Sequence, residues 1–177
     1  MFGVLLVGAC GNPSPSPSVT PSASPSSSVA PSSSAPSASP TQAACAGSDL
    51  SATGGPWGGA AGSRGSDIVV QNHGAGACLL PAGPTIALVD DAGTVLLTTP
   101  ARAGSGPSLD PNGTVGFSLV FGNWCTQGSR LPLHFRLALA SDVVDIQNLV
   151  VSTTDELPPC NGPGQPASLS TTDWQPN

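Results

Sequence analysis

Apolar and polar side chains alternate strictly over residues 131–139, LPLHFRLAL. The odd-numbered positions carry leucine or phenylalanine, while the even-numbered ones include His134 and Arg136. Because successive side chains of a β-strand point to opposite faces, this period of two predicts a strand with one buried face. Residues 115–121, VGFSLVF, alternate in the same way and predict a second strand of this kind.

Shorter apolar runs between turn residues continue the pattern. In residues 85–99, TIALVDDAGTVLLTT, two such runs flank Asp91-Ala92-Gly93, which predicts a hairpin with glycine where a positive φ is needed. Further strands are predicted at residues 66–71 and 145–152, with weaker candidates at 50–53 and near 169. About seven short strands without a helical period indicate an all-β domain, an antiparallel β-sandwich.

Charged residues are few and begin only at Asp49. They make up 8% of the 177 residues, the net charge is −6, and all four cations are arginines. A chain so poor in cations cannot neutralise several phosphates or hold an anionic lipid surface, so no nucleic-acid partner is expected. The 22 glycines and 20 prolines disfavour long helices.

The N-terminal residues 1–10 resemble the end of a signal peptide. Residues 2–9 are apolar, too few to span a membrane but enough for the end of a signal-peptide core. The sequence Val7-Gly8-Ala9-Cys10 fits a bacterial lipobox, so Cys10 is the predicted lipidation site. The alternative is that Cys10 is simply a fifth, unpaired cysteine. Since no basic residues precede the apolar run, we expect the true start codon to lie upstream of Met1.

Residues 11–44 are almost entirely Ser, Pro, Ala, Thr and Val. Such a segment cannot bury enough apolar surface to offset the entropy of ordering it, which predicts a disordered linker. Its composition is also typical of segments that carry O-linked sugars. The sequence therefore divides into a signal remnant (1–10), a linker (11–44) and one folded β domain (45–177).

Four cysteines remain within the predicted domain, namely Cys45, Cys78, Cys125 and Cys160. Their separations match no CxxC metal site, and export implies an oxidising compartment. We therefore expect two disulfides and no metal or other cofactor. Four cysteines allow three pairings, among which the spacing does not choose.

Catalytic chemistry has little support in this sequence. A hydrolase triad would need one of the two histidines, His73 or His134, near a serine and an acid. The fragment AGSRG at residues 61–65 resembles a nucleophile elbow in sequence alone. That motif works on a strand-to-helix turn of an α/β sheet, whereas here it lies in a glycine-rich stretch of a β protein. The acidic pairs at 90–91 and 155–156 are interpreted as solvated loop charges.

Two tryptophans in irregular segments are the candidates for ligand contact. Trp57 lies in GGPWGGAAG, and Trp124 lies in FGNWC beside Asn123. Indole rings stack on sugars and apolar ligands, so Trp57, Asn123 and Trp124 are the predicted ligand-binding residues. In the alternative interpretation, Trp57 covers an edge of the core and Trp124 packs on the disulfide of Cys125, the role favoured for Trp124.

The domain resembles a known family, the actinobacterial secreted lipoproteins that carry the domain of unknown function 4232. The resemblance spans residues 45 to about 172 and rests on the order of several short elements. These are Cys45 with Asp49-Leu50, the Gly-Ala-Ala-Gly of residues 59–62, Asn72-x-Gly74, Cys78-x-Leu80, Gly83-Pro84, Asp90 before Gly93, Leu109-x-Pro111, Cys125, and Cys160-x-Gly162. It implies an Ig-like sandwich with the pairs Cys45–Cys78 and Cys125–Cys160, and it brings no known activity.

These observations predict a monomeric cell-surface lipoprotein, extracytoplasmic and held to the membrane by a lipid on Cys10. Its β domain is expected to be a non-enzymatic module that binds a cell-wall glycan or another envelope protein. The first alternative is a purely structural envelope component without a specific ligand, and an extracytoplasmic hydrolase is a distant one.

Overall fold

The structure, a computed structural model, describes residues 42–60, 62–125, 131–162 and 164–177. Within these ranges the regular elements are β-strands apart from two short 3-10 helices, Gly47–Asp49 and Thr154–Glu156. The strands are β1 (Leu50–Gly54), β2 (Gly58–Ala60), β3 (Ser63–Asn72), β4 (Cys78–Pro81), β5 (Thr85–Asp90), β6 (Val95–Thr98), β7 (Ser105–Leu109), β8 (Thr114–Gly122), β9 (Leu133–Ala138), β10 (Val143–Val151), β11 (Ser168–Thr171) and β12 (Gln175–Pro176). The predicted all-β class is confirmed.

The segments with the strictest alternation form central strands. Residues 131–139 contain β9, whose buried and half-buried positions alternate through all six residues, and residues 115–121 lie within β8. Strand β9 begins only at Leu133, one residue after Pro132, which has no N–H to offer a sheet. The hairpin predicted around Gly93 joins β5 to β6, and Gly93 has a φ of 77°.

One continuous hydrogen-bonded sheet contains ten of the twelve strands. Its order is β11-β8-β3-β1-β10-β9-β5-β6, with β2 added beside β3 and β12 beside β8. The strand pairs are antiparallel except β1 and β10, which run parallel with Ala52 opposite Ile146. The remaining strands, β4 and β7, form a separate two-stranded sheet.

The main sheet curls until its two ends meet. Thr171, at the end of β11, donates a hydrogen bond of 3.1 Å from its hydroxyl to the carbonyl of Pro84, just before β5. The interior is filled from both halves of the sheet, by residues such as Ile68, Leu119 and Leu137, none of which is exposed. The sheet is thus nearly closed, and an Ig-like sandwich of two separate sheets is not confirmed.

Two disulfides link segments that are far apart in the chain. Cys45 bonds to Cys78 at the start of β4, and Cys125, which follows β8, bonds to Cys160. These are the pairs that the family resemblance implies. Each bond closes a long loop, because the paired cysteines are 33 and 35 residues apart.

Asn72 connects three segments at one end of β3. Its side chain is fully buried, and its amide donates to the carbonyls of Gly76 at 2.9 Å and Leu109 at 3.0 Å. Its side-chain oxygen accepts a hydrogen bond from the Gly74 N–H at 2.8 Å. A Cβ on residue 74 would lie only 3.0 Å from the same oxygen. These contacts account for the asparagine and glycine of Asn72-x-Gly74, because a side-chain amide has an NH2 group with two donors and a carbonyl acceptor.

No helix in the described part of the chain is long and apolar enough to cross a membrane. Cys10, and the predicted linker as far as residue 41, lie outside the described residues.

Candidate functional site

Four aromatic rings form a connected cluster inside one end of the curled sheet. Trp57, just before β2, lies 5.4 Å from Phe135 between ring centres, and Phe135 lies 6.0 Å from Phe121. Trp124 packs edge-on against Phe121 at 5.5 Å. We call these four residues the aromatic cluster. It joins β8 to β9, which are far apart in the strand order, and brings the two predicted tryptophans around one pair of phenylalanines.

Asn123 and Trp124 are built into the protein interior. Asn123 has a φ of 52°, its amide donates to the Pro166 carbonyl at 3.0 Å, and its side-chain oxygen accepts from the Asn161 N–H at 2.8 Å. Trp124 is only 9% exposed and directly precedes the disulfide-bonded Cys125. These contacts are those of a structural corner that holds the end of β8 to the segment before β11.

Trp57 is more open than Trp124. Its side chain is half-buried, with exposed glycines 58 and 59 following it in the chain. The indole N–H groups of both Trp57 and Trp124 are buried and make no hydrogen bond in the described structure. A buried donor without an acceptor is uncommon in proteins, so the two indoles mark this end of the sheet as unusual.

Arg64 lies beside the aromatic cluster, and the sequence analysis did not single it out. It is on the face of β3 that carries buried Ser66 and Ile68, and it is the cross-strand neighbour of Phe121. One terminal nitrogen, Nη2, donates to the Asp155 carbonyl at 2.7 Å, while Nε is buried without a hydrogen bond. The period-two pattern, extended from residues 66–71 back to residue 64, would have placed this cation on the inner face.

The 3-10 helix that meets Arg64 is fixed by Glu156. The Glu156 carboxylate accepts hydrogen bonds from the backbone N–H groups of Ser152 at 2.6 Å and Thr153 at 3.1 Å. These bonds favour the charged form and hold the pKa of the Glu156 carboxyl below its usual value. Glu156 is therefore committed to the backbone, and the helix presents the Asp155 carbonyl to Arg64.

The residues considered for catalysis lie apart from one another. His134 is on the outer face of β9, with Nε2 4.0 Å from an Asp91 carboxylate oxygen, and the neighbouring Arg136 pairs with Asp145 at 2.7 Å. Ser63 is the first residue of β3 in a hairpin with β2, so no helix follows it as a nucleophile elbow requires.

One serine–histidine contact exists elsewhere, on β1. The Ser51 hydroxyl and the His73 Nε2 share a hydrogen bond of 2.8 Å, and the His73 side chain is exposed. A hydrolytic triad needs an acid to orient the histidine. The ion pairs of the described residues do not include His73. The same described ranges contain no group of three or more His, Cys, Asp or Glu side chains placed to hold a metal ion.

Comparison with family models gives one match, the Domain of unknown function (DUF4232), over residues 45–175. The chain belongs to this family. The match begins at the first disulfide cysteine and extends into β12, so the DUF4232 domain includes both disulfides and the aromatic cluster. No curated protein and no solved structure matches the chain.

Trp174 is the third tryptophan of the DUF4232 domain and provides an internal contrast. Its indole N–H donates to the Pro81 carbonyl at 2.8 Å, and its ring packs edge-on against Phe117 at 5.3 Å. No motif in the sequence predicted a role for Trp174. The indole N–H of Trp174 has an acceptor, whereas those of Trp57 and Trp124 have none in the described structure. Trp174 is therefore the reference indole for the binding experiments.

Proposed function

We propose that the DUF4232 domain is a non-enzymatic binding module whose contact site is centred on Trp57. The supporting observation is the half-buried Trp57 ring, which packs at a tilt against Phe135 and carries a buried N–H without an acceptor in the described structure. The open part of the ring is a stacking surface for a ligand with apolar faces, and the N–H without an acceptor favours polar edges on that ligand. The exposed glycines 58 and 59 leave room beside the indole for a ligand to approach.

Among the ligands that an envelope offers, cell-wall glycan fits this arrangement best. Sugar rings have apolar faces that stack on indole and hydroxyl or amide oxygens that accept hydrogen bonds. Another envelope protein is the second candidate partner. The low overall charge of the chain, 8% charged residues with a net charge of −6, favours a partner recognised by shape and hydrogen bonds.

This proposal predicts saturable binding that depends on Trp57. We expect titration with N-acetylglucosamine oligosaccharides to change the tryptophan fluorescence of the full chain. Trp57→Ala should weaken the affinity about tenfold or more because it removes the stacking surface. Trp174→Phe is the matched control and should bind as the wild type does. An affinity unchanged in Trp57→Ala would contradict this site, and no binding of glycan or of envelope protein would favour the purely structural alternative.

The two disulfides are those of a protein from an oxidising, extracytoplasmic compartment. We propose that the chain is secreted as an actinobacterial lipoprotein, anchored through Cys10. The support for the anchor is the Val7-Gly8-Ala9-Cys10 sequence followed by a Ser/Pro-rich segment. The linker would then separate the binding module from the membrane surface.

Lipidation is testable by metabolic labelling in the native host with an alkyne fatty acid. The wild-type chain is expected to be labelled, and Cys10→Ala to be unlabelled, because the thiol is the attachment point. Ser14→Ala, four residues further on, should remain labelled. Label that persists in Cys10→Ala would rule out this anchor.

For the fold, we propose that the curled sheet is an Ig-like sandwich whose layers meet through the aromatic cluster. One layer would be β11, β8, β3 and β1, and the other β10, β9, β5 and β6. The contact between Phe121 of β8 and Phe135 of β9 supports this assignment, because it joins strands that are not hydrogen-bonded neighbours.

A further inference from the structure

We propose that the site around Trp57 recognises a carboxylate, and that Arg64 is the residue that binds it. This inference rests on the proposed binding function and adds the chemical class of the ligand. The proposed site consists of Arg64 and Trp57, with the buried indole of Trp124 nearby.

Strand register places Arg64 next to the aromatic cluster. Gly59 of β2, Arg64 of β3 and Phe121 of β8 are consecutive cross-strand partners. The Arg64 side chain extends over Gly59, since a Cβ on that glycine would lie 3.0 Å from Nη1. Trp57 is two residues before Gly59, and Trp124 packs on Phe121, so both indoles lie close to this row of residues.

Three buried N–H donors near this row of residues have no hydrogen-bond acceptor in the described structure. They are Nε of Arg64 and the indole nitrogens of Trp57 and Trp124. These three are the buried side-chain polar atoms without hydrogen bonds in the described ranges, and they belong to two members of the aromatic cluster and to the cross-strand partner of Phe121. N–H donors without acceptors match a ligand group that only accepts, which is the property of an ionised carboxylate.

The charge of Arg64 also has no carboxylate partner among the described residues. Arg102 pairs with the Asp173 carboxylate and Arg136 with the Asp145 carboxylate, whereas the ion pairs of the described residues do not include Arg64. Asp155 offers Arg64 its carbonyl, and the Glu156 carboxylate is held by backbone N–H groups. In a chain with ten acidic residues and four basic ones, an inner-face arginine with no carboxylate partner among the described residues suits an external carboxylate.

The donor set favours a carboxylate over a phosphate. A phosphate dianion is usually bound by several cations, and this site has one arginine. A carboxylate carries a single charge that one guanidinium can match with two parallel hydrogen bonds. An acidic sugar or the free end of a peptide could supply such a group, and the tryptophan ring would stack on the body of either.

The test compares pairs of probes that differ only in the acid group. N-acetylmuramic acid and its amide form one pair, and N-acetylalanine and N-acetylalaninamide form the other. On the full chain, we expect the acid of at least one pair to bind at least about tenfold more tightly than its neutral partner. The pair that shows this preference identifies the source of the carboxylate, and the preference should decrease as salt is added.

Arg64→Gln removes the charge and keeps a donor for the Asp155 carbonyl, and we expect it to abolish the preference for the acid. Arg136→Gln, on the outer face, is the matched control and should retain the preference. Arg64→Lys, which keeps the charge without the planar fork, should retain part of it if Arg64→Gln fails to fold. Equal binding of acid and neutral sugar would overturn this inference and leave the proposed function standing. Binding of none of these probes or of glycan oligosaccharides would count against both.

Discussion

Replacing Gly106 by alanine will strongly destabilise the DUF4232 domain. A Cβ on Gly106 would overlap the carbonyl oxygen of Pro81 and lie 2.8 Å from its carbonyl carbon. Both atoms belong to the backbone of β4, which pairs with β7, so no side chain can rotate away to relieve the contact. We expect the free energy of unfolding to fall by about 3 kcal/mol or more, the upper end of what overpacking costs.

Equilibrium unfolding in urea measures this loss, and Gly76→Ala is the matched control. Nothing lies within 4 Å of a Cβ on Gly76, which is exposed in the turn after Asn72. Its substitution should change the free energy of unfolding by no more than about 0.5 kcal/mol. If Gly106→Ala were as stable as Gly76→Ala, the close approach of β4 and β7 would be wrong.

Loss of either disulfide will have an effect of similar size. The cysteines of the two bonds are 33 and 35 residues apart, so by chain entropy each bond stabilises the fold by roughly 3–4 kcal/mol. Cys45→Ala/Cys78→Ala and Cys125→Ala/Cys160→Ala should therefore lower the free energy of unfolding by nearly equal amounts. The two double variants serve as controls for each other in the same urea experiment.

The pairing itself can be checked by peptide mapping under non-reducing conditions. Peptides that join Cys45 to Cys78 and Cys125 to Cys160 are expected. Recovery of a peptide that joins Cys45 to Cys125 or to Cys160 would contradict the structure.

Strands whose two faces differ could be predicted from the sequence. In β9, leucine and phenylalanine alternate with more polar residues, because one face of the strand is buried and the other meets solvent. The hairpin between β5 and β6 has its own local signal, a glycine where the chain needs a positive φ. The all-β class and the positions of the longest strands follow from such local patterns.

Strands whose two faces do not differ in polarity were not predicted from the sequence. Strand β7, SGPSL, contains a glycine and a proline and has one buried residue, Leu109. It forms because β4 lies against it, and Gly106 is required by that neighbour. The sequence of β7 does not contain this information.

The candidate site was predicted only in part, for a related reason. Trp57 and Trp124 could be proposed because indoles in irregular segments are unusual, but Arg64 looked like one more charge in a glycine-rich stretch. Register with β8 places it beside Phe121 and on the inner face. The role of Asn123 was likewise hidden, since its hydrogen-bond partners, Pro166 and Asn161, lie about 40 residues further along the chain.

The sequence by itself determined the class of the domain and the positions of its alternating strands. Each of these depends on residues close together in the chain, where composition and period carry the signal. The tertiary structure alone decided that one sheet curls until its ends meet. It also decided that Arg64, which has no carboxylate partner among the described residues, lies beside the aromatic cluster. These features depend on contacts between distant strands, which no local pattern of side chains specifies.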